Sequence, residues 1–212
     1  MSRPVRSALR AAALALTLTA LAGCSVLPKQ EAVSLYRPEP AVAGDAAWPQ
    51  VPWQLQIARP YADTAHDSAR ILVRPQRGEL QVYKGAAWTQ PAPDLVLDTL
   101  LRAFADSERF AGVARRGEGV SAEYELLLDL RRFETEYDGA AAPNAQVVLG
   151  ARLVHNADNR VVASRVFGAE VRAGSADVAA VNRAFESGLG DVTAALIGWT
   201  LAEGRRDTNR GR

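Results

Sequence analysis

Along Trp53-Gln54-Leu55-Gln56-Ile57 apolar and polar side chains alternate one for one, the period of a half-buried strand. The same signal recurs from Arg70 to Arg74 and from Glu79 to Tyr83 around Pro75-Gln76-Arg77-Gly78, which predicts a β-hairpin. In that hairpin Ile71 and Val73 share a face, and Leu80 and Val82 are expected at inward positions. Leu35-Tyr36 predicts a short first strand, followed by a loop that Pro38, Pro40, Gly44, Pro49 and Pro52 keep irregular. After Pro91 and Pro93 the period changes: Leu97, Leu100, Leu101 and Phe104 recur at helical spacing. Asp94 and Asp98 stand near the start of this helix, where its dipole favours negative charge, and its end is expected between Asp106 and Arg109.

Glu123 to Tyr137 is the longest strand signal, and it changes phase. Tyr124, Leu126, Leu128 and Leu130 are apolar at even positions, whereas Phe133 and Tyr137 are odd, so a bulge or bend is expected near Arg131-Arg132. Ala145 to His155 and Arg160 to Arg172 are β-rich runs around the turn composition Asn156-Ala157-Asp158-Asn159, which completes an antiparallel meander. From Ser175, a candidate N-cap, an apolar stripe of Val178, Val181, Phe185, Leu189, Val192, Leu196 and Trp199 predicts a long helix. Its polar face, with Asn182, Arg183, Glu186 and Asp191, lacks the basic bias of membrane-surface helices, so its stripe is assigned to the core. The fold class read from this order is a single α+β domain, largely antiparallel, with two main helices packed on one face of the sheet.

Ahead of these elements lie Arg3, Arg6 and Arg10, then an apolar run from Ala11 to Ala22 broken only by Thr17 and Thr19. That run is too short to span a bilayer and reads as an export signal. It ends in Leu21-Ala22-Gly23-Cys24, a lipobox, and Cys24 is the one cysteine of the chain. Cleavage between Gly23 and Cys24 with acylation of Cys24 is therefore expected. Two or three acyl chains, such as palmitate, anchor durably where a single chain does not. Ser25 in place of Asp at the next position favours sorting to the outer membrane, with the protein on its periplasmic face. Residues 1–23 are thus a signal peptide, 24–32 the lipidated Cys and a spacer, 33–203 the α+β domain and 204–212 a polar, basic tail.

Losing the three signal arginines from 25 basic residues, against 24 acidic ones, leaves a mature balance of −2, in which nothing suggests nucleic acid, and no such partner is expected. With no second cysteine there is no intrachain disulfide, and stability rests on packing. Catalytic signatures are missing: neither Gly-x-Ser-x-Gly nor His-Glu-x-x-His occurs, and Lys29 and Lys84 do not complete a phosphate loop. His66-Asp67-Ser68 holds three triad residue types in adjacent positions that cannot adopt a triad's geometry, and reads as a polar loop. His155 is a hairpin-end residue, and Glu134 and Glu136 share what is expected to be an exposed strand face. No enzyme, cofactor or metal site is assigned. Trp48, Trp53 and Trp88 default to packing, Trp88 with an architectural position before the first helix.

Several of these features together resemble the ABC-type transport auxiliary lipoproteins, the PqiC-like partners of MCE-domain lipid transporters. They are Cys24, Leu35-Tyr36-Arg37-Pro38, Ile71-Leu72-Val73-Arg74 leading to Leu80-Gln81-Val82-Tyr83, Trp88 before a Leu-rich helix, Tyr124 to Leu130 with Phe133-Glu134, and a final helix bearing Ala and Trp. The family's early Tyr-x-Leu is here Leu-Tyr-Arg-Pro. The resemblance implies a non-catalytic, outer-membrane-anchored lipoprotein that docks on an MCE-domain protein and, through it, serves an ABC permease and ATPase moving lipid. Tyr36, Trp88 and Trp199 become its candidate structural or interface residues, and homo-oligomers would suit docking on a tubular partner. The competing classes are an outer-membrane assembly lipoprotein, associated with lipopolysaccharide export or a barrel, and an envelope hydrolase, which lacks a nucleophile here.

Overall fold

The computed structural model describes residues 32–210. Its elements in chain order are β1 (Ser34–Tyr36), β2 (Gln54–Ile57), β3 (Arg70–Arg74), β4 (Gln81–Trp88), α1 (Ala92–Asp106), β5 (Gly112–Arg115), β6 (Tyr124–Glu136), β7 (Asn144–His155), β8 (Arg160–Arg172) and α2 (Val178–Arg210). The lipobox and the signal lie outside the described residues.

The spine of the eight-stranded sheet is β6. On one side it pairs along its whole length with β7, which pairs in turn with β8, both antiparallel. On the other side two short strands share it. β2 runs parallel to its start, Leu55 opposite Tyr124, and β3 runs parallel to its end, Arg74 opposite Glu136. Between them Tyr61 bridges to Asp129. β5 extends this half beyond β2, while β4 and then β1 extend it beyond β3. The sheet is therefore mixed, with the long antiparallel meander at one side and, at the other, parallel pairs together with the antiparallel β3–β4 hairpin.

The expected phase change is present. Leu130 pairs with Leu149 and Arg132 with Val148, leaving Arg131 as the extra residue of a β-bulge. Tyr124, Leu126, Leu128 and Leu130 before it, and Phe133 after it, are all buried in one hydrophobic cluster with both helices. Arg131 crosses the strand next to Gly150, where a Cβ would lie 3.1 Å from its guanidinium.

Three aromatic groups tie the layers together. Trp88, Phe133 and Phe185, from β4, β6 and α2, meet at centroid distances of 5.5, 5.2 and 4.6 Å. Trp53 packs edge-on against Tyr124 and Phe110, at 4.7 and 5.3 Å. Trp199 stands 5.6 Å from Phe167 of β8. The predicted stripe of α2 is buried from Val181 to Trp199, so this helix covers the sheet as its periodicity implies.

Four expectations need correction. Leu80 and Val82 are 41% and 45% exposed. The reason is register: Val82 pairs with Leu72, which lies on the sheet face turned away from the helices, so the inward side of β4 belongs to Tyr83. β5 was not expected, because Gly-Val-Ala-Arg carries no alternation and becomes a strand only by pairing with β2. The 204–212 tail is helical as far as Arg210, and there Asp207 accepts from Arg160 and Tyr124. Finally, Ser175 lies two residues before the capping position. The first helical bond runs from Val181 N–H to the Asp177 carbonyl, and Ser175 Oγ accepts from Asp177 N–H.

Two glycines of α2 make a paired stability prediction. A Cβ at Gly188 would make ordinary contacts at 3.5 Å, whereas one at Gly204 would overlap the buried Trp53 ring. Gly188→Ala should therefore stabilise by up to about 1 kcal/mol through helix propensity. Gly204→Ala should destabilise by about 1–3 kcal/mol through overpacking. Urea unfolding of both variants tests this, and equal signs would refute the packing at Trp53.

Candidate functional site

The irregular backbone forced by the early prolines forms a strap, residues 37–49, laid over the helices. Its first part is held where Glu39 N–H donates to Glu186 Oε1 at 3.3 Å, and just beyond its end Val51 N–H donates to the Arg109 carbonyl at 2.8 Å. Between these points it touches α2 at two glycines. A Cβ at Gly190 would lie 2.7 Å from the Ala41 carbonyl oxygen, and one at Gly198 would lie 2.9 Å from Trp48 Nε1. Asp45 folds the strap back on itself, its carboxylate accepting from Ala47 N–H and its carbonyl from Trp48 N–H.

Between strap and α1 the molecule has a cleft of about 690 Å³. Its apolar wall is made by Leu95 and Ile197, both buried, with Val42 and Trp48 half-buried. Its rim is charged with both signs: Arg37, Arg102 and Arg109 against Glu39, Asp45 and Asp106. Among the described residues no carboxylate bridges any of those three guanidinium groups. Asp98, also in the lining, is already engaged by Gln90 and by Arg115 at 2.9 Å.

A second constellation occupies the sheet face away from the helices. Because the bulge resets β6, Glu134 points there, opposite Phe133, and is fully buried. Arg74 reaches it at 3.1 Å and Arg132 at 2.9 Å. The loop between β2 and β3 covers it with His66, 6% exposed, whose Nε2 stands 3.5 Å from Glu134 Oε2. That separation is an ion-pair contact, too long for a good hydrogen bond. His66 Nδ1 meets Asp63 Oδ1 at 2.9 Å within the loop. Glu134 raises the His66 pKa above its ordinary value despite burial, and Asp63 adds to it. Burial drives the Glu134 carboxyl upward, but His66, Arg132 and Arg74 outweigh it and hold the group at about 2. The expectation of an exposed Glu134 face and of a merely polar loop at His66 is thus overturned. Both follow from tertiary cover that strand periodicity does not contain.

The candidate residues from the sequence are partly brought together. Tyr36 is the register partner of Trp88 across β1 and β4, and Thr89 N–H donates to the Tyr36 carbonyl at 2.9 Å. Trp88 is 1% exposed and serves the core, while Trp199 lies apart on α2 against β8. Gly23 and Cys24 fall outside the described residues. His155 ends β7 and meets Asp158 Oδ1 at 2.8 Å, a turn contact. The cleft was missed; its only sequence signal was the proline-rich segment before Trp53. Among the described residues no cluster of three or more His, Cys, Asp or Glu is placed to hold a metal, and no helix is long and apolar enough to cross a membrane.

Residues 34–196 match the family described as ABC-type transport auxiliary lipoprotein component. The crystal structure of protein XCC0632 from Xanthomonas campestris, assigned to family DUF330, is 48% identical, with a TM-score of 0.80 over 84% of this chain and 99% of that one. The crystal structure of an uncharacterized protein, 13% identical, shares the fold with a TM-score of 0.62 over 79% of this chain and 97% of that one. An uncharacterized protein of Bradyrhizobium diazoefficiens is 29% identical over 147 residues, 69% of this chain and 39% of the relative. The match therefore spans about two fifths of the length of that curated relative.

The charge cluster sets a pH profile. The lowered Glu134 pKa contributes stability that is present above its unfolded value of 4.5 and is lost as pH falls toward about 2. The raised His66 pKa contributes stability that is complete below 6.5 and is lost as pH rises through its folded value. Glu134→Gln should cost about 3–5 kcal/mol at neutral pH, since Arg74 loses its counter-ion and Arg132 is left with Glu136 alone, and the gap from wild type should close in acid. His66→Gln should remove the loss of stability on the alkaline side. Urea unfolding from acid to mildly alkaline pH measures both; a wild-type profile matching that of His66→Gln above 6.5 would contradict the assignment.

Proposed function

The chain belongs to the ABC-type transport auxiliary lipoprotein component family, and from that premise we propose that it is an outer-membrane-anchored periplasmic lipoprotein serving an MCE-type intermembrane lipid transport system. The observation that carries the reading is the family match across residues 34–196, nearly all of the folded domain. The lipobox at Leu21-Ala22-Gly23-Cys24 supports it from the other end of the chain, since acylation of Cys24 would hold the domain at the membrane. In this role the protein is an adaptor: it binds an MCE-domain protein and fixes one end of a transport path, while ATP hydrolysis takes place in a separate permease and ATPase.

The architecture suits an adaptor. One sheet face is sealed by helices and aromatic packing, whereas the other leaves Tyr61 and Val166 72% and 50% exposed, with Arg131 and Arg152 also exposed beside them. Exposed aromatic and arginine side chains are the residue types that anchor interfaces. The buried His66–Glu134 cluster is accounted for by tying the β2–β3 loop to the sheet, and its geometry supplies no nucleophile, so a binding and tethering role fits better than hydrolysis.

A pull-down from native envelope tests this. The acylated protein is compared with Cys24→Ala directed to the periplasm by a cleavable signal, and bound proteins are identified by mass spectrometry. Both should recover an MCE-domain protein, with only the acylated form fractionating with outer membrane. Recovery of a barrel protein instead would favour an assembly lipoprotein, and recovery of neither would leave the transport reading unsupported.

A further inference from the structure

We propose that the cleft between the 37–49 strap and α1 binds a single-chain, zwitterionic amphiphile, its chain against the apolar wall and its headgroup at the rim. The ligand class rests on the lipid-transport reading above; the existence of the cleft does not.

Size supports a ligand. A cleft of about 690 Å³ falls within the range of small-molecule sites, roughly 300–1,000 Å³. It is also a built feature. The strap is fastened at Glu186 and beside Arg109, and its close seat on α2 depends on glycine at positions 190 and 198, so the wall opposite α1 is held at a set distance. The lining then divides by chemistry. Leu95 and Ile197, themselves buried, close the cleft from behind, and the half-buried Val42 and Trp48 supply its accessible apolar side. An alkyl chain laid there leaves water without uncovering any other part of the core.

Charge selects the headgroup. Arg37, Arg102 and Arg109 line the cleft without a bridging carboxylate among the described residues, although Arg102 also acts on Asp98 at longer range. A phosphate oxygen array matches the guanidinium fork. The same rim presents Glu39, Asp45 and Asp106, so a purely anionic headgroup would meet carboxylates as well as guanidinium groups. A phosphate ester bearing an ammonium group satisfies both signs, and like-charge contact disfavours its anionic and cationic analogues.

The test titrates the full chain carrying Cys24→Ala, purified without detergent, with 1-palmitoyl-lysophosphatidylethanolamine below its micellar concentration, using calorimetry and native mass spectrometry. Three comparison probes separate the parts: lysophosphatidylglycerol without the amine, monopalmitoylglycerol without charge, and phosphoethanolamine without the chain. One-to-one binding of the zwitterionic lipid is expected, weakened at least about tenfold for each comparison probe, a difference of about 1.4 kcal/mol. Thr99→Trp, which fills the cleft from α1, should abolish it. Arg102→Glu, an exposed change that leaves the core untouched, should weaken it about tenfold and carries the test alone if Thr99→Trp does not fold. Equal affinity for all three lipids, tight binding of phosphoethanolamine alone, no saturable binding, or affinity unchanged in Arg102→Glu would each overturn the proposal. The envelope pull-down is repeated with Arg102→Glu. An MCE-domain protein recovered despite lost lipid binding separates this site from the adaptor role, so either reading can fail without the other.

Discussion

β6 must present apolar side chains to the helices along all of its 13 residues, and this requirement conflicts with strict alternation. A strand that continued the phase of Leu126, Leu128 and Leu130 would turn Glu134 into the core and Phe133 out of it. The extra residue at Arg131 resolves the conflict, returning Phe133 to Trp88 and Phe185 and sending Glu134 to the far face. Most of the remaining structure depends on that reset. It aligns the end of β6 with β3, sets the face on which Arg74 and Arg132 meet a carboxylate, and gives the β2–β3 loop something to close over.

The two sheet faces are consequently stabilised by different physics. Toward the helices the core is apolar and aromatic, with edge-on and tilted ring contacts that add to area burial. Away from them the fully buried group is a charge, tolerable because three partners surround it. Burying a carboxylate alone costs far more than one ion pair returns, so Arg74, Arg132 and His66 have to be read as a unit. The same unit ties a loop to a sheet by a carboxyl held below its usual range and an imidazole raised above its own.

The adaptor role proposed above calls for a rigid body and surfaces left free. The fastened strap, the sealed helical face and the open opposite face distribute those tasks over distinct parts of one domain. The glycines of α2 show how sequence and surface are coupled here: positions that cost helix propensity are the places where Ala41, Trp48 and Trp53 approach the helix. The strap cleft arises from that close seating, so it is a property of the packing of two segments about 150 residues apart.

Local periodicity was sufficient for most of the elements. The alternation of β2, β3 and the meander, the phase change at Arg131-Arg132 and the apolar stripe of α2 are each written in side chains a few residues apart, and the lipobox and family pattern are equally local. The tertiary structure alone decided which strands distant in sequence meet. The parallel placement of β2 and β3 on β6 joins residues some 60 to 70 positions apart, and nothing within either short strand names its partner. Pairing with β2 made β5 from a segment without a strand pattern, the β3–β4 register exposed Leu80 and Val82, and the seating of the β2–β3 loop against β6 buried Glu134 and His66. Periodicity reports which side chains share a face. Whether a face is covered, and by which charge, depends on segments brought together only after the chain closes long loops, and that information resides in the packed whole.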